Sequence, residues 1–243
     1  MVGAPMTDDI IFNDRAADHD NLPWERKEGF RRRFIRQANR SFILNAGGMA
    51  VIAFALPLLL LLTGTEGPHY SISHYYWGGQ VARSILVGSL WTTGFFLIFF
   101  QALSRLENLL LRVAGVAAIG VAMCPMTYGQ CGGGNGFHFG FAAVFFLCLA
   151  TVSVFLAKTR VKYIIYPPLK KRLVFFYNLL GGLMIILPAS IAAARYLPEM
   201  ISGSRKECDD TFAIFVIETI AIWAFAGFWV VKVYEYRKLL GVR

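Results

Sequence analysis

Residues 42–62 read FILNAGGMAVIAFALPLLLLL, with no Asp, Glu, Lys or Arg among them. A helix rises about 1.5 Å per residue, so about 20 apolar residues cross the hydrocarbon layer of a bilayer. Phe42–Leu62 therefore predicts a membrane-crossing helix. Five further stretches of the same kind follow: Gly78–Leu103, Leu109–Cys124, Phe137–Leu156, Leu173–Ala193 and Thr211–Val231. Two of the six reach the required length only with their flanks. The expectation is an all-α fold, a polytopic bundle of six transmembrane helices. The connections between spans two and three and between three and four are short, which predicts antiparallel neighbours. No convincing repeat relates the two halves, which weakens an inverted-repeat transporter reading.

Composition agrees. The chain of 243 residues is 56% hydrophobic and 16% charged, shifted from a soluble domain toward a membrane protein on both counts. This excludes a disordered chain, a collagen and a disulfide-rich secreted scaffold. The formal charge of +9 raises nucleic acid as a partner, but the placement of the charges answers otherwise. With the N-terminus in the cytoplasm, 20 of the 24 Lys and Arg fall on the cytoplasmic side; Arg83, Arg195, Arg205 and Lys206 are the exceptions. That is the positive-inside pattern. It places both termini in the cytoplasm and the protein, multi-pass, in the cell's inner membrane, and it removes the case for nucleic acid.

The expected organisation is a flexible tail over 1–21, a basic segment over 22–40, a six-helix domain over 41–235 and a cytoplasmic tail over 236–243. The tail is polar and the first apolar run is too long for a signal core, so no secretory signal is expected. The basic segment, NLPWERKEGFRRRFIRQANR, interleaves aromatics with Arg26 to Arg40. It reads either as an interfacial helix on an anionic inner leaflet or as an extension of the first span with snorkelling arginines.

Cys124 and Cys148 lie in or at the edge of spans and read as small apolar residues. Cys131 and Cys208 fall in connections on the non-cytoplasmic side. They are candidates for a disulfide tying the 3–4 and 5–6 connections, or else two free thiols.

An ionisable residue inside a span is a functional hypothesis by default. Glu218, in TFAIFVIETIAIWAF, sits roughly 10 Å below the outer end of its span. It pairs with Arg83 and pins spans two and six, or it lines a polar pocket with Arg83, or it is protonated against another helix. The first outer loop, HYSISHYYWGGQVAR (69–83), concentrates His69, Ser71, Ser73, His74, Tyr75, Tyr76 and Trp77. An aromatic belt explains the Tyr and Trp, but does not need two His and two Ser together. His138 enters the fourth span on the same side. Zinc on His69, His74 and His138 is chemically reasonable, yet a five-residue spacing is not a helical ligand pair, and no metal or cofactor is expected. The glycine run 132–136 lacks the ending of a phosphate-binding loop and reads as a flexible loop or lid. There is no G-x-S-x-G or H-E-x-x-H; Ser73 and His74 are adjacent, but adjacency is not triad geometry. A second polar set, Asn45, Gln101, Glu107, Asn108 and Asn178, lies toward the inner face and reads as interhelical hydrogen bonding.

The stretch SISHYYWGGQVARSILVGSLWTTGFFLIFF (71–100), followed by Glu107-Asn108 and by AGVAAIGVAMCP (114–125), resembles a group of bacterial six-span membrane proteins of unknown function. These share a Ser shortly before Tyr-Tyr, then Arg, Val-Gly and a Gly in span two, an acid, an Ala-Gly-rich third span and a His before the fourth. The matching positions are Ser73, Tyr75, Tyr76, Arg83, Gly88, Glu107, Gly115 and His138. The similarity covers roughly residues 70–150 and implies no activity. A looser similarity to lipid-remodelling proteins of the Frag1/DRAM type is architectural only.

The leading expectation is a protein that binds or moves a small molecule or lipid in an outward-facing pocket. His74, Tyr75, Tyr76, Arg83, His138, Arg195 and Glu218 would line it, with Arg83 on a polar head group and Glu218 as charge partner or proton carrier. The alternatives are a membrane-embedded hydrolase acting on lipid, with or without a metal, and a non-catalytic scaffold subunit. Membrane lipids are the expected partners, with room for an oligomer.

Overall fold

A computed structural model describes residues 24–65, 69–102, 104–126, 136–161, 167–202 and 212–239. Among these, all regular structure is helical. Six segments are long and apolar enough to cross a membrane: Asn39–Thr63, Gln80–Phe99, Arg105–Met123, Gly136–Leu156, Pro167–Ala194 and Ala213–Lys238. The helices are α1 (Trp24–Thr63), α2 (Gln80–Phe99), α3 (Arg105–Met123), α4 (Gly136–Thr151), the short α5 (Lys158–Val161), α6 (Pro167–Ser202) and α7 (Ala213–Leu239). A 3-10 turn, Ser73–Tyr76, lies between α1 and α2, and a π turn, Val152–Leu156, continues α4.

The chain divides into two units, Met1–Ser41 and Phe42–Arg243. Residues 24–41 of the first are helical and belong to α1, so the basic stretch is helix from Trp24 onward. The expected tail 1–21 lies outside the described residues, as do Cys131 and Cys208.

Within the second unit, α2 packs on α3, α3 on α4, α4 on α6 and α6 on α7. Short polar devices make the α2–α3 corner. The Asn108 carboxamide spans it, accepting from Ala102 N at 2.6 Å and donating to Ala102 O at 3.2 Å. Ser104 caps α3, its hydroxyl accepting from Glu107 N at 3.0 Å, in the S-x-x-E spacing of a capping box. Small residues then let the helices close. A Cβ on Gly115 would lie 2.6 Å from Gly94 O, and one on Gly94 2.8 Å from Gly115 O, so α2 and α3 meet backbone to backbone.

At the far end of α4 the π turn aims Ser153 at α6, where its hydroxyl donates to Tyr177 O at 2.8 Å. Gly181 admits Val154 there: a Cβ would fall 2.5 Å from Val154 Cγ2. The main core fills the middle of the bundle with Met49, Leu97, Leu111, Leu149, Met184, Phe228 and Trp229, all fully buried.

The helices run past the apolar stretches read from the sequence. The last one continues beyond Val231 to Leu239, with Lys232 and Glu235 buried at 1% exposure. The 36-residue α6 extends well beyond Leu173–Ala193 at both ends. The sequence windows stop at the first charge, whereas a helix stops only where its hydrogen bonding or packing does.

Candidate functional site

The segment after α1 folds back onto the bundle. Gly64 N donates to Leu60 O and Thr65 N to Gly78 O, closing the segment at its base. Gly79 makes the entry to α2 with φ of +103°, a conformation that favours glycine. Ile72 and Tyr75 plug a second apolar cluster with Leu56, Leu60, Ala82, Leu86 and Phe215. Trp77 Nε1 donates to Met126 O at 2.9 Å and so ties the segment to the exit of α3. Tyr75 is thus part of a packed plug, while Tyr76 and Trp77 stay partly exposed. Tyr75 is fully buried, its hydroxyl accepting from His69 N at 3.3 Å, and burial pushes its phenol above the ordinary value despite that bond.

The plug carries polar groups into the bundle at one point. Glu218, from α7, accepts from Ile72 N at 2.6 Å and from Ser71 Oγ at 2.9 Å. Ser71 Oγ in turn accepts from Ser73 N at 3.2 Å. Ser73 Oγ lies 3.1 Å from His138 Nε2, and His138 Nδ1 lies 2.9 Å from Cys124 O. A carbonyl only accepts, so Nδ1 carries the hydrogen; Nε2 of the neutral ring is then an acceptor, and the Ser73 hydroxyl donates to it. One connected chain of hydrogen bonds therefore joins α7, the plug, α4 and the end of α3.

This chain borders a cavity of about 540 Å³ between α4, α6 and α7. Ser73, His138 and Glu218 are its polar lining; Leu90, Val121, Phe139, Ala143, Met184, Pro188 and Ala189 are part of its apolar wall. The cavity has a helical cause. Glycine and the π turn draw α4 and α6 together at Ser153 and Gly181, while toward His138 the facing residues are small, Gly140 and Ala143 on α4 and Ala189 on α6.

The expected site residues separate. His138 and Glu218 come together through Ser71 and Ser73. Arg83 goes elsewhere: its Nε donates to Tyr76 O at 2.8 Å and its guanidinium sits over the Tyr76 and Trp77 rings at 4.7 and 5.5 Å. The Arg83–Glu218 ion pair is not formed among the described residues; a serine hydroxyl and a backbone amide take its place. Tyr76 borders a neighbouring cavity of about 20 Å³ with Ser73 and His138. Tyr75 is core. His74 turns to His69, Nδ1 to Nδ1 at 3.1 Å, and away from His138. Arg195 belongs to α6, and its side chain lies outside the described residues. Among the described residues no three His, Cys, Asp or Glu converge on a metal position. Cys124 and Cys148 carry free thiols.

A second polar cluster sits at the opposite end of the helices. Glu107 pairs with Lys232, and Tyr177 donates to Glu235, all four buried. Lys232 Nζ also lies 5.1 Å from the Phe228 ring centroid. Of the inner polar set, Glu107 and Asn108 have these specific roles, while Gln101 and Asn178 are exposed.

Sequence reasoning missed Ser73 as a partner of His138, because 65 residues separate them and no motif spans that distance. It counted Lys232 among the cytoplasmic charges and did not single out Glu235. Compared with protein-family models, curated proteins and solved structures, the chain matches none.

Proposed function

We propose that this multi-pass membrane protein binds an amphiphilic molecule, lipid-like in chemistry, in the cavity between α4, α6 and α7. The observation that carries the proposal is the cavity's composition: about 540 Å³ of largely apolar wall inside membrane-length helices, with Ser73, His138 and Glu218 converging at one place. The volume is that of a small-molecule site, and a few convergent polar groups on an apolar wall are what such sites use for orientation. The apolar body lies along Phe139, Ala143 and Pro188. The polar end meets a carboxylate and an imidazole–hydroxyl pair and no lysine or arginine among the described lining, which favours a head group with a hydroxyl or amine over a phosphate. The charge asymmetry supports placement in the inner membrane with both termini cytoplasmic, so that the Ser73 end faces outward.

Mass spectrometry of the protein purified in nanodiscs tests this. Wild type is expected to retain a lipid-like molecule. Ala143→Trp, which fills the cavity from α4, is expected to lose it while melting normally. Glu218→Gln is expected to hold it at least about tenfold more weakly, the equivalent of about 1.4 kcal/mol. Equal retention by wild type and Ala143→Trp would remove the cavity as the site.

A further inference from the structure

We propose that Ser73 is a nucleophile, activated by His138, that cleaves an acyl ester held in the cavity. This rests on the amphiphile reading above and names the chemistry of the bound molecule.

Three observations carry it. First, the Ser73 hydroxyl donates to His138 Nε2 at 3.1 Å, within the reach expected of a nucleophile and its base. Second, His138 is oriented from behind: Nδ1–H to Cys124 O at 2.9 Å fixes the tautomer that leaves Nε2 free to take a proton. Third, both side chains border the large cavity, so a bound ester can reach them. His138 is 5% exposed, a buried base beside a half-buried hydroxyl. Simple structural hydrogen bonding would not require that this pair open onto the cavity.

The chemistry balances with water as the only co-reactant. Ser73 Oγ bonds to the ester carbonyl carbon as its proton passes to His138 Nε2. The ester C–O bond breaks, and the leaving alcohol takes that proton. Water then attacks the acyl-serine, giving its proton through His138 to Ser73 Oγ as the acyl–Oγ bond breaks. The products are an alcohol and a carboxylic acid, with nothing oxidised or reduced. Glu218 positions the nucleophile through Ser71, whose hydroxyl donates to the carboxylate and accepts from Ser73 N.

The full chain in nanodiscs is treated with two serine-reactive fluorophosphonates, one with a long alkyl chain and one short, and adducts are followed by intact mass. Wild type is expected to gain one adduct with either probe, mapped to Ser73 by peptide analysis. Ser73→Ala should gain none there, and His138→Gln should label at least about 100-fold more slowly, the usual contribution of a general base. Ser71→Ala, which removes the link from Glu218 to Ser73 N, should label at Ser73 more slowly than wild type. Melting curves confirm that each variant is folded, and peptide mapping of the wild-type adduct needs no variant at all. Release of p-nitrophenol from p-nitrophenyl laurate by wild type, lost in Ser73→Ala, completes the expected result. Failure of wild type to form any Ser73 adduct, or equal ester cleavage by Ser73→Ala, would overturn the proposal. The two readings fail separately. If wild type retains a lipid that Ala143→Trp loses, yet Ser73 never reacts, the nucleophile is wrong and the cavity stands. If Ser73 reacts with the long-chain probe as fast in Ala143→Trp as in wild type, the nucleophile stands and the cavity reading falls.

Discussion

Tyr75 shows how much a single residue of the plug contributes. Its ring is fully buried against Phe215, with centroids 5.8 Å apart, and its hydroxyl accepts only the His69 amide among the bonds described. The neutral phenol is therefore the form that the fold accommodates, and its ionisation is pushed upward. The sign follows from linkage. The unfolded chain loses the phenolic proton first, at about pH 10, so this contribution to stability is complete below that pH. It is lost as pH rises through the higher folded value. Melting in detergent between neutral pH and pH 11 should show a decline above about pH 10 that is smaller in Tyr75→Phe. Equal declines in the two proteins would place the alkaline transition elsewhere.

At the scale of elements, close packing at a few glycines sets how near neighbouring helices come. Gly94 and Gly115 bring α2 and α3 into backbone contact, and Gly120 makes room for the Phe141 ring of α4. Gly88 lies one face away on α2, with nothing within 4 Å of an added Cβ. The two kinds of glycine should answer oppositely to alanine. Gly115→Ala forces the α2–α3 crossing apart and is expected to cost about 1–3 kcal/mol. Gly88→Ala is expected to be neutral or to stabilise by about 0.5–1 kcal/mol, as for a helix-interior glycine with free space. Thermal melting of the pair in one detergent checks this, and similar shifts for both would show that the backbone contact is not tight.

Across the whole molecule, the two polar clusters sit toward opposite ends of α3 and α7 and do different things. The Ser73 cluster joins α7, the plug, α4 and the end of α3, and it opens onto a cavity. The Glu107–Lys232 pair joins the start of α3 to the end of α7 and is enclosed, both side chains at 1% exposure. Removing one partner of an enclosed pair strands the other charge in a medium of low dielectric, at about 3–5 kcal/mol. Lys232→Met alone should therefore destabilise strongly, and Glu107→Gln together with Lys232→Met should recover part of the loss, because Glu107 then carries no stranded charge. A double-mutant cycle in melting measures the coupling. Additive effects would mean that the two side chains do not depend on each other. Ester cleavage and lipid retention at the other end should survive in the double variant.

What the sequence determined alone is the architecture. Apolar runs of bilayer length are local and continuous, so six spans, with their order, are legible residue by residue. The suspicion about Glu218 was legible for the same reason: a carboxylate among apolar neighbours stands out within a single window. Tertiary structure decided the partners. Arg83 and Glu218 are near in depth, yet the guanidinium folds onto Tyr76 and Trp77 of its own segment while a serine and a backbone amide reach the carboxylate. Ser73 meets His138 across 65 residues and Lys232 meets Glu107 across 125. Hydropathy reports what each residue does with solvent; it holds no information on how α4 rotates about its axis or where α6 parts from it. Those depend on glycine contacts between helices, and they decide which buried polar groups face each other and which face a cavity.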